Sequence, residues 1–445
     1  MRRPGRRAAD SAGMNRPRLP AALADAVQIY APSTVYAVGL GAMTPAIASA
    51  ALALGLGAAQ AAAVVVLVGL GSLLANTPAS LLAARAGERR TMVLSAVLGT
   101  LGAGLAWAAT APLTAGGVRA EGVDDPVRLA ALLAGVLTVG AAGAGFNLAR
   151  QSYLAVAVPA THRARAMSTL GGTIRIGVFL GPFLGAALQA LLGLSGAFAA
   201  ATAMMAAGTV LCVRIRELTV PDDGAPAVPD GASAPDGPAR RRPRLADVGR
   251  ARRGVLATAG FGVVAVSAAR AARNAVIPLW AAHLGMSPAA ASLVFGIAGA
   301  ADLLLFYPSG RLMDRHGRRA VAVPCLTLLG AGFLAVSLTS EPVGFAAAAL
   351  LLGVGNGFGA GIVMTLGADF SPPDARPEFL GLWRSMADAG MLTGPLLVSA
   401  VTAAAGLGVG VGAMAAVCAG GAAVFARVLP RGPGPVDDPT PLGRC

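Results

Sequence analysis

Apolar residues run along this chain in long blocks, each cut off by a short polar segment. Runs of about eighteen or more apolar residues are long enough to cross a bilayer as helices. About twelve can be counted, with approximate cores at 24–48, 56–83, 91–111, 128–150, 166–192 and 195–213, then 255–281, 288–309, 320–339, 343–367, 378–402 and 406–428. Period-two alternation is missing, which argues against a transmembrane barrel. Between the sixth and seventh runs, residues 217–250 are rich in Pro, Asp, Gly, Ala and Arg and cannot bury enough apolar area to fold alone. The pattern therefore predicts a basic tail at 1–20, a six-helix bundle at 21–215, a linker at 216–252, a second six-helix bundle at 253–429 and a tail at 430–445.

Composition sharpens this picture. Hydrophobic residues make up 56% of the 445, and the mean hydropathy is +0.69. No soluble domain of this length hides so much apolar surface. The 60 glycines fit membrane helices, where small residues let backbones approach closely.

A net charge of +14 would point to nucleic acid in a soluble chain. Here the charge is all arginine and sits in particular short segments. Arg2, Arg3, Arg6, Arg7, Arg16 and Arg18 precede the first run. Others fall at Arg85, Arg89 and Arg90, at Arg163 and Arg165, and in the linker from Arg240 to Arg253. The alternate loops hold almost none, Arg119 and Arg128 being the main exceptions. This positive-inside alternation places both termini and the linker in the cytoplasm and implies a lipid partner, not a nucleic acid. The basic N-terminus has no small-residue cleavage site, so the first run is read as a retained helix. Cys212, Cys325, Cys418 and Cys445 have no metal or disulfide spacing, and no cofactor is expected.

The halves repeat each other weakly. Pro78 and Pro308, Arg85 and Arg315, and Gly87 and Gly317 share an offset of 230. Gly177-x-x-x-Gly181-Pro182 returns as Gly390-x-x-x-Gly394-Pro395 at an offset of 213. The lost residues fit an outside loop near 112–127 that has only a short counterpart at Glu341-Pro342. Parallel six-helix repeats with the site between them are a transporter plan.

The most specific segment is Gly310-Arg311-Leu312-Met313-Asp314-Arg315-His316-Gly317-Arg318-Arg319, a charged turn between two apolar runs. Gly310 would admit a neighbouring helix. Asp314 would accept bonds at a helix N-terminus, where the macrodipole favours negative charge. Arg315, Arg318 and Arg319 would hold the turn on the cytoplasmic side. The string resembles the loop signature G-x-L-x-D-R-x-G-R-R of the major facilitator superfamily of secondary transporters. The resemblance implies an all-α integral membrane protein of about twelve helices in two pseudo-symmetric bundles, usually monomeric. It also implies that the loop latches the halves; a topology anchor is the plainer alternative. The first-half equivalent, Ser80 to Arg89, lacks the first Gly and the Asp, with Ser80 and Ala84 at those positions. Gly177, Gly181, Pro182 and Gly185 resemble the glycine-proline motif of drug–proton antiporters, against the alternative of simple small-residue packing.

Ionisable residues inside apolar helices are costly and mark a site or a buried pair. The candidates are Arg175 in the fifth span, Arg270 and Arg273 in the seventh, Asp302 in the eighth, and Arg384 and Asp388 in the eleventh. Arg384 and Asp388 have i,i+4 spacing and can satisfy each other. In the family, spans five and eight meet between the halves. Arg175 and Asp302, each two to three turns from the inner surface, are expected to pair and break during transport, or else to form a static pair. Asp302 is the first choice for proton coupling and Asp388 the second. Spans one, four, seven and ten line the family's cavity, which nominates Tyr30, Tyr36, Met43, Asn147, Arg150, Arg270, Arg273, Asn274 and Asn356 for contact with a small-molecule substrate. Arg270 is also readable as an interfacial residue, and Trp107 and Trp280 as interfacial anchors.

The leading reading is a proton-coupled exporter of a small organic compound or drug in the cell membrane. An importer or facilitator of a polar or anionic metabolite stays open, because buried arginines outnumber buried carboxylates. An enzyme is disfavoured: His162, His283 and His316 are dispersed and no catalytic spacing appears. A sensor would be expected to carry a soluble domain.

Overall fold

The structure, a computed structural model, describes residues 19–111, 126–158, 160–215, 245–372 and 375–432. The expectations placed on the N-terminal tail, the outside loop, most of the linker and the end of the C-terminal tail lie outside the described residues. The first half comprises α1 (Leu19–Ala53), α2 (Ala58–Ala86), α3 (Glu88–Thr110), α4 (Pro126–Ala157), α5 (Ala160–Leu192) and α6 (Ser195–Val213). Two short helices follow, α7 (Leu245–Ala251) and α8 (Arg253–Ala257). The second half comprises α9 (Ala259–His283), α10 (Pro288–His316), α11 (Arg319–Leu338), α12 (Pro342–Phe358), α13 (Ile362–Phe370), α14 (Arg376–Ala405) and α15 (Leu407–Val428). Among the described residues twelve candidate membrane spans result, α8 with α9 and α12 with α13 each counting as one. Residues 245–251, read from sequence as linker, form a helical turn or two before the seventh span.

Helix is the physical answer to an apolar environment, because each peptide unit closes its hydrogen bond within its own segment. The turns between helices then need glycine. Among the described residues seven glycines have positive φ, and six of them form three pairs. Gly55 matches Gly285 and Gly87 matches Gly317 at the offset of 230, while Gly193 matches Gly406 at 213. The repeat seen in sequence is thus a repeat of backbone turns. The seventh, Gly361, has φ +82° and no partner. Its equivalent at the offset of 213 is Leu148, within the unbroken α4.

Close helix contacts rest on small residues. A Cβ on Gly177 would fall 2.5 Å from the Thr34 carbonyl oxygen, and one on Gly181 would overlap the Val38 carbonyl. Gly185 sits 2.8 Å, by the same measure, from the Ala42 carbonyl. The face therefore seats α5 against α1. Its repeat does the same job in the second half, Gly390 meeting Val264 and Gly394 meeting Ala268 across α14 and α9.

The two bundles meet along α2 with α14 and α5 with α10. Their packing is uneven from end to end. Ala46–Ala51 on α1 and Ala275–Ala281 on α9 are buried at every position, so both helices are covered all round there. Gln189 on α5 donates to Ser292 Oγ on α10 at 3.1 Å in the same layer. At the opposite end, which bears the linker, Asn147, Gln151, Thr258 and Phe261 are exposed. A groove of about 320 Å³ lies open along α10 beside Tyr307, Arg311 and Arg315. The end away from the linker is covered all round, while the linker end carries exposed polar side chains and this groove.

Gly181→Leu and Gly394→Leu should each abolish the monodisperse folded peak in detergent size-exclusion chromatography, since overpacking a tight contact costs about 1–3 kcal/mol or more. Gly310→Leu should elute as wild type, because a Cβ there meets nothing within 4 Å.

Candidate functional site

Four charged side chains and two amides converge at mid-height between the halves. Asp302 is the central residue of α10, and Asn356 is the central residue of the α12–α13 span. Arg270 and Arg273 lie at the middle of α9, and Arg175 near the middle of α5. With Asn274 and Ala360 these line a cavity of about 190 Å³.

Asp302 is the junction. Its Oδ2 accepts a 2.6 Å hydrogen bond from Asn356 Nδ2. Its Oδ1 lies 3.7 Å from an Arg175 nitrogen, an ion pair from one bundle to the other. That distance is long for a hydrogen bond, and Oδ1 has no hydrogen-bond partner. Arg175 also lies over the Phe306 ring, 4.1 Å from its centre.

Arg270 is not interfacial, contrary to one reading of the sequence. Its Nη2 donates to the Gly359 carbonyl at 2.6 Å. That carbonyl also accepts from Ile362 N at 3.2 Å, in the turn where the tenth span is broken: α12 ends at Phe358, and Gly359-Ala360-Gly361 turn before α13 begins. A span predicted as one continuous helix is therefore two. Left-handed Gly361 makes the break, and a cation caps the negative end of α12. The signal was legible in Gly353, Gly355, Gly357, Gly359 and Gly361, alternate glycines around Asn356. Broken helices at the midplane of a transporter bring free backbone groups to a site.

Arg273 is buried at 7% exposure and lies over the Phe295 ring at 5.4 Å. Its Nη1 and the Nε of Arg270 have no hydrogen-bond partner.

The remaining candidates fall elsewhere. Met43 is fully buried, and Tyr36 is buried and stacked on Phe146 at 4.3 Å, so neither faces the cavity. Tyr30 donates to the Ala166 carbonyl at 3.2 Å and ties α1 to α5. Arg150 is buried, donates to Asn147 and lies over Phe146, a separate cluster on α4. Arg384 is exposed and Asp388 half-buried, within electrostatic reach of each other and away from the cavity. Trp280 is buried too, its Nε1 donating to Thr339 Oγ1 at 2.9 Å, so it packs instead of anchoring; Trp107 is exposed.

The charged turn also differs from its reading as a loop. Residues 310–316 are the last turns of α10, and the chain reverses at Gly317, φ +85°. Gly310 admits no neighbour. Asp314 and Arg315 are exposed, and among the described residues Asp314 has no hydrogen bond or ion pair. Arg318 instead pairs with Asp369 at the end of α13, at 2.7 Å through Nε and 3.4 Å through Nη2. The equivalent turn of the first half is tied to α4 by Ser152 Oγ donating to Glu88 at 3.0 Å. Asp369 had no recognised role in the sequence, because its partner lies 51 residues away.

The sequence matches the Major Facilitator Superfamily over residues 33–269 and 259–444, and the chain belongs to that family. Its fold is shared by the nucleoside transporter NupG (TM-score 0.65, 12% identity, 91% of this chain and 98% of that one). It is shared by a D-xylose–proton symporter (0.64, 15%, 91% and 98%). A bacterial homologue of the human lysosomal transporter Spinster, inward-facing and unoccupied, gives 0.64 at 14% identity over 92% and 96%. No curated protein matches the sequence. Family and fold point to a multi-pass membrane transporter and away from an enzyme.

Arg318→Gln and Asp369→Asn should each lower the detergent unfolding midpoint, and the double variant should be no worse than the weaker single. A double-mutant cycle would then give an interaction of about 1 kcal/mol or more. Additive losses would mean that the two residues act independently.

Proposed function

We propose that this protein is a proton-coupled secondary transporter of a small polar organic solute. It works as a monomer in the cell membrane, with both termini and the linker in the cytoplasm. The carrying observation is Asp302, a mid-membrane carboxylate bonded to its own bundle through Asn356 and to the other through Arg175. Protonating Asp302 removes the charge that holds Arg175, so a proton weakens a link between bundles that must separate on one side and close on the other. The opening toward the arginine-rich end is then the inward-facing state. Solute would occupy the cavity beside Asp302, in contact with Arg270, Arg273, Asn274 and Asn356.

Export of drugs by proton antiport is the other reading, and the glycine-proline face of α5 favours it. That face packs α5 on α1, and its twin packs α14 on α9, so it serves both halves and carries no direction of its own. The arginine excess at the cavity favours a polar or anionic solute.

In proteoliposomes with an internal pH dye, a cognate solute should dissipate an imposed pH gradient, and Asp302→Asn should abolish that flux. The same variant should retain solute exchange at equal pH on both sides. Full proton-coupled transport by Asp302→Asn would remove Asp302 from the mechanism, and Asp388→Asn would then be the next variant to assay.

A further inference from the structure

We infer that the transported solute carries a carboxylate or comparable small oxyanion, held between Arg270 and Arg273, and that it crosses in the same direction as the proton. This rests on the transporter reading above and names its substrate class and the sign of its coupling.

The cavity sets three guanidinium groups against one carboxylate, an excess of two positive charges among its lining residues. An uncompensated charge in an apolar layer is costly, and a partner must come from somewhere. Asp302 cannot serve all three, being bound to Asn356 and facing Arg175. The other two cations are fixed in place, Arg270 by the Gly359 carbonyl and Arg273 by the Phe295 ring. Both keep an unpartnered buried nitrogen, and Arg273 is more than nine-tenths buried. Fixed donors with open hydrogen-bonding capacity are a built oxyanion site, and guanidinium groups match carboxylate and phosphate geometry. A cationic solute would add to the excess, and a neutral one would leave it standing.

The direction of coupling follows from the charges. The titratable groups facing Asp302 are Arg175 on α5, Arg270 and Arg273 on α9 and Cys325 on α11, next to Gly359; α12 contributes Asn356, which does not titrate. On α1, Tyr30 and Tyr36 are engaged elsewhere. Protonating Asp302 removes the only negative charge of the lining and strengthens attraction for an anion. By linkage a bound anion favours that protonation equally. Proton and anion therefore load together, which is symport; a cation would compete with the proton, which is antiport.

The test uses the full chain in detergent, with unfolding midpoints measured against acetate, succinate, inorganic phosphate, xylose and choline in wild type and in Asp302→Asn, whose amide stands in for the protonated carboxyl. At least one anion should protect wild type, and Asp302→Asn should bind it with a half-saturating concentration about tenfold lower. Protection by acetate or succinate alone assigns a carboxylate, and protection by phosphate as well assigns the broader oxyanion class. Arg273→Gln should lose the protection and Arg273→Lys should keep part of it. If Arg273→Gln does not fold, the Lys variant and Asp302→Asn still decide. Protection by xylose or choline but no anion, by no probe, or by anions less strongly in Asp302→Asn than in wild type, would overturn the inference. Anion protection without proton flux in vesicles would instead sink the proton-coupled reading and the symport with it, and leave the oxyanion site standing.

Discussion

Inside an apolar layer a peptide unit finds no water, so its hydrogen bond must close within its own helix. Everything else in this molecule follows from that constraint and from one exception to it. The constraint gives twelve spans, and close packing of those spans requires the glycine faces that seat α5 on α1 and α14 on α9. The exception is Gly359–Gly361. There the helical ladder gives way to a turn, and the Gly359 carbonyl accepts from both Ile362 N and Arg270. The corresponding position of the first half, near Leu148, stays helical, so the internal symmetry is broken at the cavity.

The cavity is the second place where a rule of the layer is broken, since four ionisable groups gather at mid-height. Each is individually expensive there, yet their arrangement is ordered. Aromatic rings of α10 lie beneath Arg175 and Arg273, and a helix end receives Arg270. Asp302 joins the two bundles through an amide on one side and a guanidinium on the other. The Arg175 contact, longer than a hydrogen bond, gives a junction that a proton can loosen. The apolar outer layer, by contrast, is shut by whole turns of α1 and α9 and by the neutral Gln189–Ser292 bond, which does not respond to pH.

Much of the fold was legible in sequence, because length and apolar content alone specify a span and arginine-rich turns mark its ends. The pairing of Arg175 with Asp302 was legible too, since charges in apolar helices are rare and the family resemblance fixed which helices meet. Residues facing a cavity were harder to read. Met43 and Tyr36 sit on the expected helix but point into packing, and helix identity says nothing of rotation when hydrophobic residues cover every face. Long-range polar partners such as Arg318 and Asp369 leave no local pattern. The helix break was written in alternate glycines, but a glycine-rich chain obscures one more cluster of them.

The central claim is that protonation of Asp302 alters how the bundles stand apart at the linker end. The most direct measurement is the spin-label distance between cysteines placed at Ser168 on α5 and Arg311 on α10, both exposed there. In wild type the distance distribution should shift between acid and neutral pH. With Asp302→Asn it should stay at the acid distribution at either pH. A variant that still shifts with pH as wild type does would contradict the claim.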